Sequence, residues 1–313
     1  MKTISIVAPC YNEEENVDLL YDKISEVMKG ITGLQFELIF IDNASTDHTV
    51  EKIKSIIKKD KRCRLIVNAR NFGHIRSPVY GLLQAYGDAV ILIASDLQDP
   101  PEMILDFVAK WKEGYKIVAA VKTNSEESRI LYFIRSMYYR LISRISDTRL
   151  LNNFTGFGLY DKVVMDALRK IRDPYPYFRG LIADIGFDIA QVEFTQPTRK
   201  RGITKNNFYT LYDMAMLGIT SYSKVPLRLA VFAGIILSIC SFLLALSYFI
   251  YKLLYWETFV LGLAPLVIGL FFFSSIQLLF VGLLGEYLAA VLTQVMNRPL
   301  VIEKERVNFN RKK

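Results

Sequence analysis

A chain of 313 residues, 52% of them hydrophobic and with a formal charge of +8, is long enough for about two domains. Its three scattered cysteines, Cys10, Cys63 and Cys240, exclude a disulfide framework, and its two histidines, His48 and His74, exclude a His-rich metal site. The basic residues thicken after Arg129 with no basic-aromatic module or zinc-finger spacing, so the charge points to an anionic membrane face or a phosphorylated ligand and not to nucleic acid.

Met1-Lys2-Thr3 runs straight into a β-branched strand, Thr3–Ala8, ended by Pro9, so no signal peptide is expected. Glu13–Met28 follows with Val17, Leu20, Ile24, Val27 and Met28 near helical spacing. Phe36–Ile41 reads as the second strand, stopped by the turn and cap cluster Asp42–Asp47. A helix over Thr49–Ile57 leads to the strand Arg64–Val67, and a helix around Ser77–Tyr86 feeds the apolar run Asp88–Ala94. That run ends in Ser95-Asp-Leu-Gln-Asp-Pro-Pro-Glu102, whose Pro101 suits the first turn of a helix reaching Trp111; Tyr115–Val121 is a fifth strand. Strands alternating with helices of this length predict βαβ units and a mostly parallel α/β sheet.

Polar residues gather in the loops after these strands. Pro9, Tyr11 and Glu13 follow the first, Asp42 the second, Asn71 the third and Asp96 the fourth. Such loops on one edge of a parallel sheet describe a nucleotide cleft. The carboxylate and amide oxygens at Asp96 and Gln98 are the donors a hard cation needs when it bridges a diphosphate. Taken singly, Asp42 and Asp47 also read as turn and cap residues, and the acids near Pro101 as company for a helix N-terminus. These loops contain neither Gly-x-Gly-x-x-Gly nor Gly-x-x-x-x-Gly-Lys-Ser/Thr, which excludes a dinucleotide fingerprint and a P-loop.

Val7-Ala-Pro-Cys-Tyr-Asn-Glu13, Ile41-Asp-Asn-Ala-Ser-Thr-Asp47, Arg70-Asn-Phe-Gly73 and Ser95–Glu102, in that order, resemble family 2 glycosyltransferases of the GT-A fold. The nearest branch glycosylates polyprenyl phosphates, the dolichol-phosphate mannose synthase and bactoprenol glucosyltransferase type. The resemblance covers nearly the whole chain. It implies that Pro9, Tyr11, Glu13, Asp42 and Asn71 hold the nucleotide, and that Asp96 and Gln98 hold Mg²⁺ or Mn²⁺ on its diphosphate. It also implies a homo-oligomer, a tetramer in the family. Two motifs depart from the family pattern. Its Asp-x-Asp is Ala94-Ser95-Asp96 here, and in Asn153–Asp161 Gly156 stands where the family has a proposed catalytic Asp, with Gly158 in place of an Arg. No base is assigned. A phosphate monoester has a second pKa near 6, so the acceptor is largely dianionic at neutral pH and there is little proton to remove; positioning and charge neutralisation then dominate.

Residues 129–146 carry Arg129, Arg140 and Arg144 on one helical face beside apolar and aromatic residues, a pattern that suits a helix in the headgroup layer or one packed on the sheet. Tyr177–Ala183 reads as a helix and Phe187–Phe194 as an edge strand. The basic loop Arg199-Lys-Arg-Gly-Ile-Thr-Lys205 resembles the family's Arg-x-x-Gly-x-Ser/Thr-Lys through Arg199, Gly202, Thr204 and Lys205. Arg forks and Lys point charges are what crowded phosphates require, and Arg199 and Lys205 join Asp96 as the expected catalytic residues.

No charge falls between Arg228 and Lys252, nor between Glu257 and Glu286, and each run exceeds the ~20 residues that span a bilayer. Two transmembrane helices in a hairpin are expected, with Tyr255 and Trp256 at one interface and Lys224, Arg228, Arg298, Lys304 and Arg306 at the other. The chain divides into a catalytic domain (1–226), a membrane hairpin (227–292) and a charged tail (293–313) that is available to a neighbouring subunit. The positive-inside rule puts the catalytic domain on the cytoplasmic side, with a bacterial inner or plasma membrane favoured. The expected activity is inverting transfer from a nucleotide-diphosphate sugar, UDP preferred, to a polyprenyl phosphate. A processive polysaccharide synthase is disfavoured by the lack of Gln-x-x-Arg-Trp, and Ala94 and Gly156 motivate a non-catalytic nucleotide-sugar sensor as the rival from another class.

Overall fold

The computed structural model describes residues 1–124, 151, 153–197, 208–255 and 263–309. Its centre is an eight-stranded sheet in the order β7-β5-β6-β4-β1-β2-β3-β8. The first strands are β1 (Lys2–Cys10), β2 (Leu34–Asp42), β3 (Cys63–Asn68), β4 (Ala89–Leu92) and β5 (Ile117–Asn124). They alternate with α1 (Val17–Lys29), α2 (Thr49–Lys59), α3 (Gly73–Leu83) and α4 (Ile104–Lys112). Then come β6 (Phe154–Asp161), α5 (Lys162–Lys170), α6 (Phe178–Asp184), β7 (Ile189–Thr195), α7 (Phe208–Tyr222), α8 (Val225–Leu254), α9 (Leu263–Met296) and β8 (Glu303–Val307). Of these strands β6 and β8 run against the rest, so the mostly parallel sheet expected from the alternation is present. Two apolar layers cover its faces, one under α1, α2 and α4 and the other under α3 and α5. Burial on both faces is why β1 to β4 read as near-continuous apolar runs.

Pro9 does not end β1. The strand runs on to Cys10, paired with Asp42 of β2. In a strand each residue's N–H and C=O point to one side, and those of Val7 point to β4, since its carbonyl accepts from Ile93 N at 3.0 Å. Two residues on, Pro9 faces the same side, where β4 has already stopped at Leu92. The N–H that proline lacks would have had no strand to meet.

Two elements were not expected. Segment 153–161, read as a motif, is the antiparallel strand β6 between β4 and β5. A Cβ on Gly158 would collide with the Val118 carbonyl, so the family's Arg has no place at this position. Residues of the charged tail return to the chain's own sheet as β8, antiparallel to β3, with Lys54 Nζ on Glu305 Oε2 at 2.7 Å and Ala69 N on Ile302 O at 2.8 Å. β7 is an edge strand, as its alternation predicts. The amphipathic segment 129–146, Trp256 and the loop carrying Arg199 and Lys205 lie outside the described residues.

α8 and α9 are long and apolar enough to cross a membrane, and most of their large apolar side chains are exposed.

At the α2–β3 turn, Asp60 accepts from Arg62 Nη2 at 2.7 Å and from Tyr21 Oη of α1 at 3.0 Å. The Arg62 hydrogen bonds hold its carboxyl down at about 2. A depressed carboxyl stabilises the fold above its unfolded value of about 4 and loses that contribution as pH falls through its folded value. Because Arg62 is half-exposed and screened, Asp60→Asn is expected to cost only about 1 kcal/mol at pH 7. Urea unfolding should show the variant and the parent converging as pH falls toward 2.

Candidate functional site

The order β4-β1-β2 reverses direction of growth at β1, and crevices form at the carboxyl ends of strands at such a switch point. A cleft of about 530 Å³ opens there, within the size range of ligand sites. The structure brings six of the expected residues to it: Pro9, Tyr11, Glu13, Asn71, Asp96 and Gln98 all line its wall.

Asp42 stays out. It is the last paired residue of β2, fully enclosed, and its carboxylate accepts from the backbone N–H and hydroxyl of Ser45. Burial pushes its carboxyl up. The neighbouring Asn43 takes the wall position. Its amide donates to Asn71 Oδ1 (2.8 Å) and Gly73 O (3.2 Å), and its carbonyl accepts from Phe72 N (2.9 Å) and Asn68 Nδ2 (3.1 Å). Asn71 is therefore aimed by β2 through Asn43. Asn43 had a visible signal, as it follows the second strand directly, but an amide beside Asp42 attracted no chemistry.

The first two loops are stitched together. Asn12, in the left-handed region at φ 56°, donates its N–H to Ser45 Oγ at 2.9 Å and accepts from Thr46 N at 2.8 Å. Glu13 N donates to Thr49 Oγ1 at 2.9 Å, and Glu13 accepts from Asn16 Nδ2 at 2.6 Å. Tyr11 sits between these anchors, presented to the cleft by a backbone with little freedom.

The acidic loop is fixed by Ser95, whose hydroxyl donates to Pro9 O at 2.7 Å and lies 3.0 Å from Cys10 Sγ. Burial pushes the Cys10 thiol up, which removes it as a nucleophile. Asp96 Oδ1 accepts from Gln98 N at 3.1 Å across Leu97, a non-glycine residue held at φ 60°. That conformation costs on the order of 1 kcal/mol or more and survives where the surroundings over-determine it; here it turns Asp96 and Gln98 onto one lip. Beneath them Asp99 accepts from Ala94 N at 3.0 Å, and burial pushes its carboxyl up to about 6.

Much of the far wall comes from Lys122, Gln196 and Arg179, which the sequence did not single out. Lys122 at the end of β5 hydrogen-bonds Gln196 Oε1, and Gln196 Nε2 lies 3.5 Å from Gln98 Oε1. His74 opens α3 and Arg179 lies in α6; burial first, and then the Arg179 charge, pull the imidazole down. Gly156 has φ +101°, so a side chain there would be strained although there is room for a Cβ in ordinary contact with Phe178. The missing Asp is thus matched by a backbone that disfavours one.

Asp96 and Gln98 both line the cleft and offer oxygen donors, which suits Mg²⁺ or Mn²⁺. Among the described residues no group of three or more His, Cys, Asp or Glu is placed to hold a metal. Such a site fits an ion that takes its remaining ligands from phosphate and water.

Residues 5–169 match the family model described as glycosyl transferase family 2. The uncharacterized glycosyltransferase YkcC of Bacillus subtilis is 35% identical over 310 residues, which cover 99% of this chain and 95% of that protein. The bactoprenol glucosyl transferase of Shigella phage SfII is 31% identical over 303 residues, covering 96% of this chain and 97% of that protein. Among solved structures, glucosyl-3-phosphoglycerate synthase from Mycobacterium tuberculosis, in complex with Mn²⁺, UDP-glucose and phosphoglyceric acid, aligns with 70% of this chain and 78% of its own at a TM-score of 0.46 and 22% identity. That likeness is too distant to bear on ligands. The family model covers more than half of the chain and the relatives nearly all of it, so the chain belongs to glycosyl transferase family 2 and is a glycosyltransferase.

Proposed function

We propose that this glycosyltransferase moves a sugar from a UDP-sugar to a polyprenyl phosphate at a membrane surface, with inversion at the anomeric carbon. One observation carries the reading. The sheet that bears the cleft hands the chain to α8 and α9, two helices of membrane-spanning length, and receives it back as β8 on β3. An even number of crossings is what such a return requires, and it supports a catalytic domain held at one face of the bilayer. The name of the SfII relative supports bactoprenol as the acceptor class. Lys224, Arg228 and Arg298 flank the helix ends nearest the sheet, which supports a cytoplasmic cleft, whereas Lys304 and Arg306 belong to β8 in the sheet.

Chemically, an oxygen of the acceptor phosphate attacks the anomeric carbon as the bond from that carbon to the diphosphate oxygen breaks, and the nucleoside diphosphate leaves. The dianionic phosphate brings its own electron pair, so the site needs no base at Gly156. Pro9, Tyr11, Glu13 and Asn71 hold the nucleoside, and Asp42 acts behind them by fixing the Ser45 turn. Asp96 and Gln98 would hold the divalent cation, which when bound offsets diphosphate charge. Arg199 and Lys205, in the basic segment that precedes α7 in the sequence, supply cations to the same charge.

The decisive measurement is label transfer. Purified full chain, given polyprenyl phosphate, Mn²⁺ and a panel of labelled UDP- and GDP-sugars, should place label in the lipid extract from a UDP-sugar. Nucleotide binding without lipid label across the panel would favour the sensor. Asp96→Asn should lower metal-dependent transfer by about 100-fold or more, and full activity in that variant would remove Asp96 from the metal site. Arg199→Ala and Lys205→Ala should each lower turnover by about 100-fold with melting temperature unchanged; near-parental kinetics in both would reject the phosphate role of that loop.

A further inference from the structure

Glu286 stands near the end of the apolar helix α9, in a segment with no other charge back to its start. A carboxylate at such a position is costly unless it is paired or at the water interface. It accepts a hydrogen bond from Tyr212 Oη of α7 at 2.8 Å. The next residue, Tyr287, donates to the carbonyl of Ser223, just past the end of α7, at 2.7 Å. Two adjacent residues of α9 therefore hold positions eleven residues apart, and at ~1.5 Å per residue those lie about 16 Å apart along α7. α9 thus holds α7 near both of its ends, at Tyr212 and just past Tyr222.

Leu263–Gly285 is 23 residues of α9, about 35 Å, enough for the ~30 Å hydrocarbon core and no more than a few ångströms beyond it. Glu286 lies within Gly269–Met296, the part of α9 that is long and apolar enough to cross a membrane, and there it meets the Tyr212 end of α7. Its other end meets the cleft wall. The Tyr222 ring is 5.8 Å from that of Tyr177, and a Cβ on Gly180 of α6 would come 2.5 Å from Tyr222 Cζ, so glycine leaves the room that this ring occupies. Tyr177 and Arg179 line the cleft from that same wall.

We infer that α7 is a crossbar that fixes the α6 wall of the cleft against the membrane helices, with Tyr222, Gly180 and the Tyr212–Glu286 pair as positioning residues for the acceptor. The inference rests on the lipid-phosphate reading above. A lipid acceptor is held at a depth set by the bilayer, and its phosphate must come within about 3.5 Å of the anomeric carbon to react. The nucleotide side of the cleft is built from the loops after β1 to β4, which do not depend on α7. Loosening the crossbar should therefore disturb the acceptor and spare the donor.

The test uses the full chain in lipid nanodiscs, with nucleotide Kd and acceptor kinetics measured together. Tyr222→Ala and Glu286→Ala are each expected to lower kcat/KM for polyprenyl phosphate by about 10- to 100-fold while UDP affinity stays within about twofold. Tyr222→Phe keeps the ring against Gly180 and should remain near the parent. Parental acceptor kinetics in both alanine variants, or an equal loss of UDP affinity, would overturn the crossbar. If the parent itself forms no lipid product with any sugar, the lipid-phosphate reading falls and takes the crossbar with it; product in the parent with unaffected variants removes the crossbar alone.

Discussion

The hydroxyl of Ser95 on the carbonyl of Pro9 is the contact on which the cleft depends. β1 runs three residues past its last pairing with β4, so on that side its end has no strand beside it. Ser95 closes that gap from the first turn after β4. In doing so it ties the loop of Pro9, Tyr11 and Glu13 to the loop of Asp96 and Gln98. The oxygen donors on one side and the aromatic and amide groups on the other are thus parts of one rigid edge, and preorganisation of this kind is what charge stabilisation requires.

Several backbone positions with left-handed conformation lie along the same edge. Asn12, Ala44, Leu97 and Gly156 all have positive φ, and each sits in a loop or strand end that borders the cleft. Polar side chains compensate for three of them: Asn12 through Thr46, Ala44 beneath the Asp42–Ser45 turn, and Leu97 through the Asp96–Gln98 turn. The asparagine cluster of Asn43, Asn68 and Asn71 works in the same way on the next loop, with Asn68 Nδ2 also on Ser77 Oγ at 3.0 Å. Asn43 has partners on both its amide nitrogen and its oxygen, whereas Asn68 donates through Nδ2 and leaves its buried Oδ1 without a partner.

Two hydrogen bonds outside the sheet also join the catalytic half to α9 and the segment after it. Gln294 of α9 donates to Asp173 at 2.8 Å ahead of α6, and Arg76 of α3 donates to Pro299 O at 2.5 Å. β8 then seals the open edge of β3 with charged residues, a common protection for an edge strand. The segment after α9 is therefore part of the catalytic domain's structure, and the two helices form a loop out of it.

The alternation of apolar runs and helices, the loops bearing Pro9, Tyr11, Glu13, Asn71, Asp96 and Gln98, and the two long apolar helices were determined by the sequence alone, because periodicity and uninterrupted hydrophobicity are local properties. Register was not. Whether Asp42 or Asn43 faces the cleft turns on a single residue of β2, since successive side chains of a strand point to opposite faces. β8 is a run of charges that becomes a strand only because β3 offers it unpaired backbone groups. Lys122, Gln196 and Arg179 come from separate parts of the chain and share a wall only after β6 inserts antiparallel between β4 and β5. Those facts belong to the tertiary structure, which brings together backbone edges and polar groups that the sequence keeps far apart.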